Sequence, residues 1–212
     1  MIGFFDLETL KLDHEVGGWE FASDMGLSVA CLYVNENRAF QVYVGPDDAR
    51  KGAGCYEGQD DTEQLVRELS ELELIVGYNI KGFDFKVLQP YAAKHGVKLD
   101  MLPTFDMLLA LGNSVGRPFP ASLESLSTVN LGKIGHKIVE PKSVVDMYRK
   151  GLIDEVILYC MHDVWATRML FQLAYETDEL QMRTRRGTFD TVDVSDWKPE
   201  IHRIYGANNI VF

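Results

Sequence analysis

The apolar pattern of the chain changes period near residue 60, and that change limits the folds open to it. Before it, three runs read as strands: residues 1–6, 26–34 and 39–44 (AFQVYV), the last closed by Gly45-Pro46. Hairpin-like connections join them, through a polar stretch at 11–25 that holds Gly17, Gly18 and Trp19. After it, helical spacing and buried-strand runs take turns. Leu65, Val66, Leu69 and Leu72 share a helical face in residues 61–72, with Asp61 or Thr62 as the cap. LIVGY at 74–78 is a buried strand. Residues 83–96 read as a helix that stops at Gly96, with Pro90 placed to bend it. PTFDMLLAL at 103–111 passes from strand into helix, and Ser122 caps a helix that Gly132 ends. A short helix near 143–150 and a long one near 152–176 follow Pro141. The order βββαβαβ and then helices predicts an α/β fold. Its mixed five-stranded sheet has three antiparallel strands and then parallel ones, flanked by helices. Residues 1–176 form the expected domain. The less regular 177–212 stretch is expected to be a C-terminal extension packed on or beside it.

The 212 residues suffice for one large domain, and 46% hydrophobic with 25% charged residues is an ordinary globular mix. No apolar run approaches membrane-spanning length, and Met1 leads straight into a strand, so a soluble, intracellular, cytoplasmic protein is expected. Cys31, Cys55 and Cys160 show neither disulfide nor zinc spacing, and Cys31 and Cys160 read as small core residues. The net charge of −11 argues against a partner held by phosphate contacts. A site that loads divalent cations is the exception, because the metal offsets its acids.

Three acidic stretches bear on that exception. In GFFDLET, Asp6 and Glu8 are two apart in a strand and so point the same way, although acids also mark strands escaping into solvent. In IVGYNIKGFDFKVL, a buried strand gives way to a loop with Asn79 and a helix opening near Phe83-Asp84. Asp84 there also suits a helix N-terminus, and Asn79 an Asx-turn. In LYCMHDVWATRML, Tyr159 and Asp163 lie one helical turn apart among mostly apolar neighbours, where a mid-helix Asp has poor propensity and no capping role. Four acids on three separated elements converge only if the first strand is central and the late helix packs across its end. Together they would repel one another unless hard, oxygen-preferring divalent ions bound them.

DLE in FFDLET, YNIKGFD, and Tyr-x-x-x-Asp in YCMHD resemble the three motifs of the DEDD 3′–5′ exonucleases. That family belongs to the ribonuclease-H-like superfamily and includes polymerase proofreading domains and RNase D. Tyr159, four before Asp163, resembles the tyrosine branch; the histidine branch needs His where Leu158 stands, and His162 does not satisfy that pattern. The resemblance extends over residues 1–176 through FDMLLAL, SLESLS and LGKIGHK. It implies a ribonuclease-H-like fold and a two-metal enzyme using Mg²⁺ or Mn²⁺. The implied activity is removal of nucleoside monophosphates from the 3′ end of single-stranded nucleic acid, with DNA favoured over RNA. It assigns Asp6 to both metals, Glu8 and Asp163 to the catalytic one, and Asp84 to the second. Tyr159 would orient the attacking water. Leu7 and Thr9 would meet the terminal nucleotide, and Asn79 and Phe83 would line the strand's path. The implied setting is stand-alone action or partnership with a polymerase or helicase. The alternative is an exonuclease-fold docking module of a larger replication or repair assembly.

Other candidates carry a competing structural explanation. His14, His95, His136 and His202 lack ligand spacing. Trp19 and Trp165 have faces for base stacking, but Trp165 suits the core better. Arg183, Arg185 and Arg186 suit phosphates or a solvated turn, Lys133 and Lys137 a substrate loop or a solvated one, and Tyr78 packing.

Overall fold

Strand β1 (Ile2–Thr9) is central because its apolar positions serve two layers at once. The computed structural model describes residues 1–46, 56–118, 121–132, 141–184, 187–206 and 210–212. Alternation sends Ile2 and Phe4 to one face of β1, and Phe5 and Leu7 to the other. β1 pairs antiparallel with β2 (Leu27–Val34), which pairs antiparallel with β3 (Ala39–Val44). On its other side β1 runs parallel to β4 (Leu74–Gly77), which runs parallel to β5 (Thr104–Asp106). The sheet order is β3-β2-β1-β4-β5, the mixed five-stranded arrangement expected from the order of periods.

Helices cover both faces. Helix α1 (Asp13–Val16) lies in the β1–β2 connection, and α2 (Thr62–Ser70) and α3 (Asp84–Lys94) bury their apolar stripes on the Phe5–Leu7 face. α3 continues to Lys94 with Pro90 inside it. The opposite face takes α4 (Met107–Ser114), α5 (Leu123–Leu131), α6 (Pro141–Arg149) and the long α7 (Ile153–Thr177). Ser122 caps α5 as expected, its hydroxyl accepting from Ser125 N–H. Among the described residues, no helix is long and apolar enough to cross a membrane.

Two local expectations change. β1 does not end at residue 6: Asp6 and Glu8 lie within the paired strand, opposite Cys31 and Val29, with a register irregularity between Glu8 and Thr9. On that face Ile2 and Phe4 are buried, while Asp6 and Glu8 are half-buried. The stretch after 177 is also more ordered than its pattern suggests. It forms a second, two-stranded antiparallel sheet, β6 (Glu179–Arg183) with β7 (Phe189–Asp193), and a helix α8 (Trp197–Tyr205). Each of these strands buries a single residue fully, Leu180 or Val192, too few to display a period. Lys133, His136, Lys137, Arg185, Arg186 and Cys55 lie outside the described residues.

Leu180, Val192, Trp197 and Ile201 join the core on the α7 side. Trp197 stands edge-on to Phe105 at 5.2 Å, and Phe105 to Phe171 at 5.6 Å. Its indole N–H donates to Ser114 Oγ over 3.2 Å. Trp197→Ala is therefore expected to cost about 3–5 kcal/mol, the range for deleting a buried aromatic. Urea unfolding of the variant beside the parent measures it. A loss under 1 kcal/mol would mean that α8 does not share the core.

Candidate metal centre

The face of β1 that begins with Ile2 and Phe4 ends with Asp6 and Glu8, and α7 crosses over it. α7 brings Tyr159 and, one turn later, Asp163; both are buried. Carboxylate oxygens of Asp6, Glu8 and Asp163 all lie within 4.8 Å of one another. These residues can hold a metal ion: the donors are all oxygens, and they are close enough to share one cation. Strand period fixes Asp6 against Glu8, and helix packing adds Asp163.

Asp84 arrives from the other side of the sheet as the first residue of α3. β4 pairs with β1 only as far as Phe4↔Val76, so β1 runs on without a strand neighbour there. Leu7 N–H donates to Asp84 Oδ1 over 3.2 Å in place of a strand carbonyl. Burial, and then the nearby charge of Asp6, push the Asp84 carboxyl well above the usual carboxylate range. Burial is the larger burden on the Asp84 carboxylate, and the charge of Asp6 adds to it.

Other expected residues fall around this cluster. Asn79 takes a left-handed conformation at φ +63°, which Asn tolerates better than most residues. Its carbonyl accepts from Gly82 N–H at 3.0 Å and Phe83 N–H at 2.9 Å, which closes the loop leading into α3. Phe83 is half-buried and precedes Asp84 directly. Leu7 points its side chain into the layer under α3, away from Asp6. The Thr9 hydroxyl donates to Lys11 O at 2.9 Å. Trp165 packs edge-on to Tyr33 at 5.6 Å with the Arg168 guanidinium 4.9 Å from its ring centre, as a core residue does. Tyr78 donates its hydroxyl to Ala121 O at 2.6 Å.

Three residues gain a place that the sequence did not give them. Asp106 is the first. It caps α4 by accepting from Leu108 and Leu109 N–H, and it also accepts from Asn79 N–H and Lys81 N–H, each at 3.0 Å. One buried carboxylate thus joins a helix start to the loop that delivers Asp84. Its position just before an apolar helix signals the cap. The bonds to residues 79 and 81 have no local signal. His162 is the second. It does not turn away, as its helical position suggests, but brings Nδ1 to 3.5 Å from Asp163 Oδ1. Cys160 is the third. Its thiol, pushed up by burial and so kept protonated, lies 3.3 Å from the Asp6 carbonyl oxygen.

No protein-family model matches the sequence, and no curated protein matches it. Among solved structures the chain is similar to the family B DNA polymerase from the hyperthermophilic archaeon Pyrobaculum calidifontis. The TM-score is 0.56 at 13% identity over 82% of this chain. The fold is ribonuclease-H-like. At that identity the likeness concerns fold alone, and because the match takes in 24% of the polymerase, the chain spans about a quarter of its length.

Asp84→Asn keeps an oxygen for Leu7 N–H and removes the charge. If that relieves about 1 kcal/mol of repulsion, the thermal midpoint of the metal-free protein rises by about 2–4 °C. Asp84→Ala, which leaves Leu7 N–H without its acceptor, is expected to lower it. Differential scanning calorimetry in chelator distinguishes them; a fall in both would show that the repulsion is not felt.

Proposed function

We propose that this protein is a metal-dependent 3′–5′ exonuclease of the tyrosine branch of the DEDD family. It hydrolyses single-stranded nucleic acid, with DNA favoured, and releases nucleoside 5′-monophosphates. One observation carries the reading: Asp6 and Glu8 from β1 and Asp163 from α7 meet in one crevice, with Asp84 entering beside them. Two acids on one strand have a solvated explanation, but a buried mid-helix Asp meeting them does not.

Asp6, Glu8 and Asp163 would hold two divalent cations, Mg²⁺ or Mn²⁺, with Asp84 on the second through water. When bound, these ions supply a nucleophilic water and stabilise the leaving oxygen. The chain's own residues do the rest. The Tyr159 hydroxyl, one turn from Asp163, orients the water for in-line attack on the terminal phosphodiester. The bond from phosphorus to the 3′ oxygen breaks, which leaves a 3′-hydroxyl on the shortened strand and a free 5′-monophosphate. Leu7 and Thr9 border the terminal nucleotide, and Asn79 and Phe83 the strand behind it. The acids also account for part of the −11 charge, since bound cations would offset them. A docking module without catalysis has no use for three gathered acids with a fourth beside Asp6. Stand-alone action and work beside a polymerase or helicase both fit this reading, with the cytoplasm as the compartment.

The test is release of monophosphates from 3′-labelled and 5′-labelled oligonucleotides, as matched DNA and RNA, with Mg²⁺ or Mn²⁺. Activity is expected in the parent and none in Asp6→Ala; an inactive parent, or an active variant, sinks the reading. Tyr159→Phe is expected to lower kcat about a hundredfold with KM little changed, as loss of a proton-handling group does. Initial rates across substrate concentration separate the two constants.

A further inference from the structure

The segment joining β1 to β2 is closed and anchored, yet it presents large aromatic surface to solvent. Leu10 N–H bonds to Gly26 O and Lys11 N–H to Met25 O, both at 3.1 Å, so its two ends are tied together. Ala22 and Met25 are buried beneath it. Arg149 of α6 also holds Glu15 at 2.8 Å and reaches Leu10 O at 3.3 Å. From this fixed frame Trp19 projects 62% exposed and Phe21 46% exposed. A tethered segment that leaves an indole in water has had the means to bury it.

The position of Trp19 suggests its use. Its ring stands edge-on to Phe83, 5.4 Å between centroids. Phe83 is the residue before Asp84, and Asp84 is bonded to the strand that carries Asp6 and Glu8. Trp19 therefore stands against the residue that directly precedes Asp84. The charge of the chain says what such a surface is for. At −11, the protein has no net positive charge with which to neutralise phosphates. The groove beside the wall does not change this: its lysines, Lys81 and Lys86, are matched by Glu20 and Asp100. Uncharged attraction must supply the hold, and base stacking on an aromatic face is attraction of that kind, indifferent to sequence.

We propose that Trp19, standing beyond Phe83, is a stacking wall for the base next to the terminal nucleotide of a single-stranded substrate. This rests on the exonuclease reading. The wall grips the strand through its bases, and it acts on strands longer than one nucleotide.

The test compares the parent, Trp19→Ala and Trp19→Phe on two substrates. One is a single-stranded oligonucleotide; the other is the p-nitrophenyl ester of thymidine 5′-monophosphate, which has no second base. Trp19→Ala is expected to raise KM on the oligonucleotide about tenfold, a typical stacking loss, at unchanged kcat. Its rate on the ester stays at the parent's, and Trp19→Phe recovers most of the oligonucleotide KM. Equal losses on both substrates would show a structural role and overturn the proposal, as would no change on either. If the parent is inactive on both, the exonuclease reading falls, and fluorescence anisotropy with a labelled oligonucleotide decides the wall separately. Weaker binding by Trp19→Ala sustains it. Binding that is equal, or absent in both, overturns it and leaves the wall to a protein partner.

Discussion

The hydrogen bond from Leu7 N–H to Asp84 organises the open end of the sheet. β4 stops at Gly77 while β1 runs on to Thr9, so the parallel ladder ends before the strand does. A buried N–H without an acceptor is costly, and the chain supplies one by bringing α3 back with a carboxylate at its first residue. That solution places a negative charge beside Asp6, on a strand whose next outward residue on that face is also acidic. The acids thus gather where the parallel pairing ends, and Asp6, Glu8 and Asp163 there could hold a metal ion.

The remaining geometry follows from two periods meeting. Period two along β1 keeps Ile2, Phe4, Asp6 and Glu8 on one side, so the core and the crevice share a face. α7 lies across it, its buried residues including Val156, Tyr159, Cys160, Asp163 and Val164. Apolar members hold the helix down where the strand is apolar, and Tyr159 with Asp163 reach the part where it is acidic. The Cys160 thiol at the Asp6 carbonyl ties the layers at the boundary between the two regions.

What could be read from the sequence was what local period controls. The mixed sheet follows from the order of elements, and the shared aim of Asp6 and Glu8 and the pairing of Tyr159 with Asp163 follow from spacings of two or four residues. The length of β1 was underestimated because its last residues are acidic, and acids at a strand end look like an exit. Asp106 has no local mark beyond its cap, because its bonds to residues 79 and 81 cross more than twenty positions of sequence. His162 depended on a side-chain rotation that position on a helix does not determine. The β6–β7 hairpin had too little burial to announce itself, and α8 is recognised through Trp197 finding Phe105.

Asp106 also sets how freely this protein can vary. Surface loops ordinarily accept extra residues at small cost, because lengthening a flexible connection adds little closure entropy. The turn between β4 and α3 has lost that latitude. Its Asn79 and Lys81 amides are pinned two residues apart to one carboxylate that also starts α4. An inserted residue between them would pull an amide off that carboxylate and shift Asp84 along with it. The connection that delivers Asp84 is therefore one where length is hardly negotiable, although it lies in a loop.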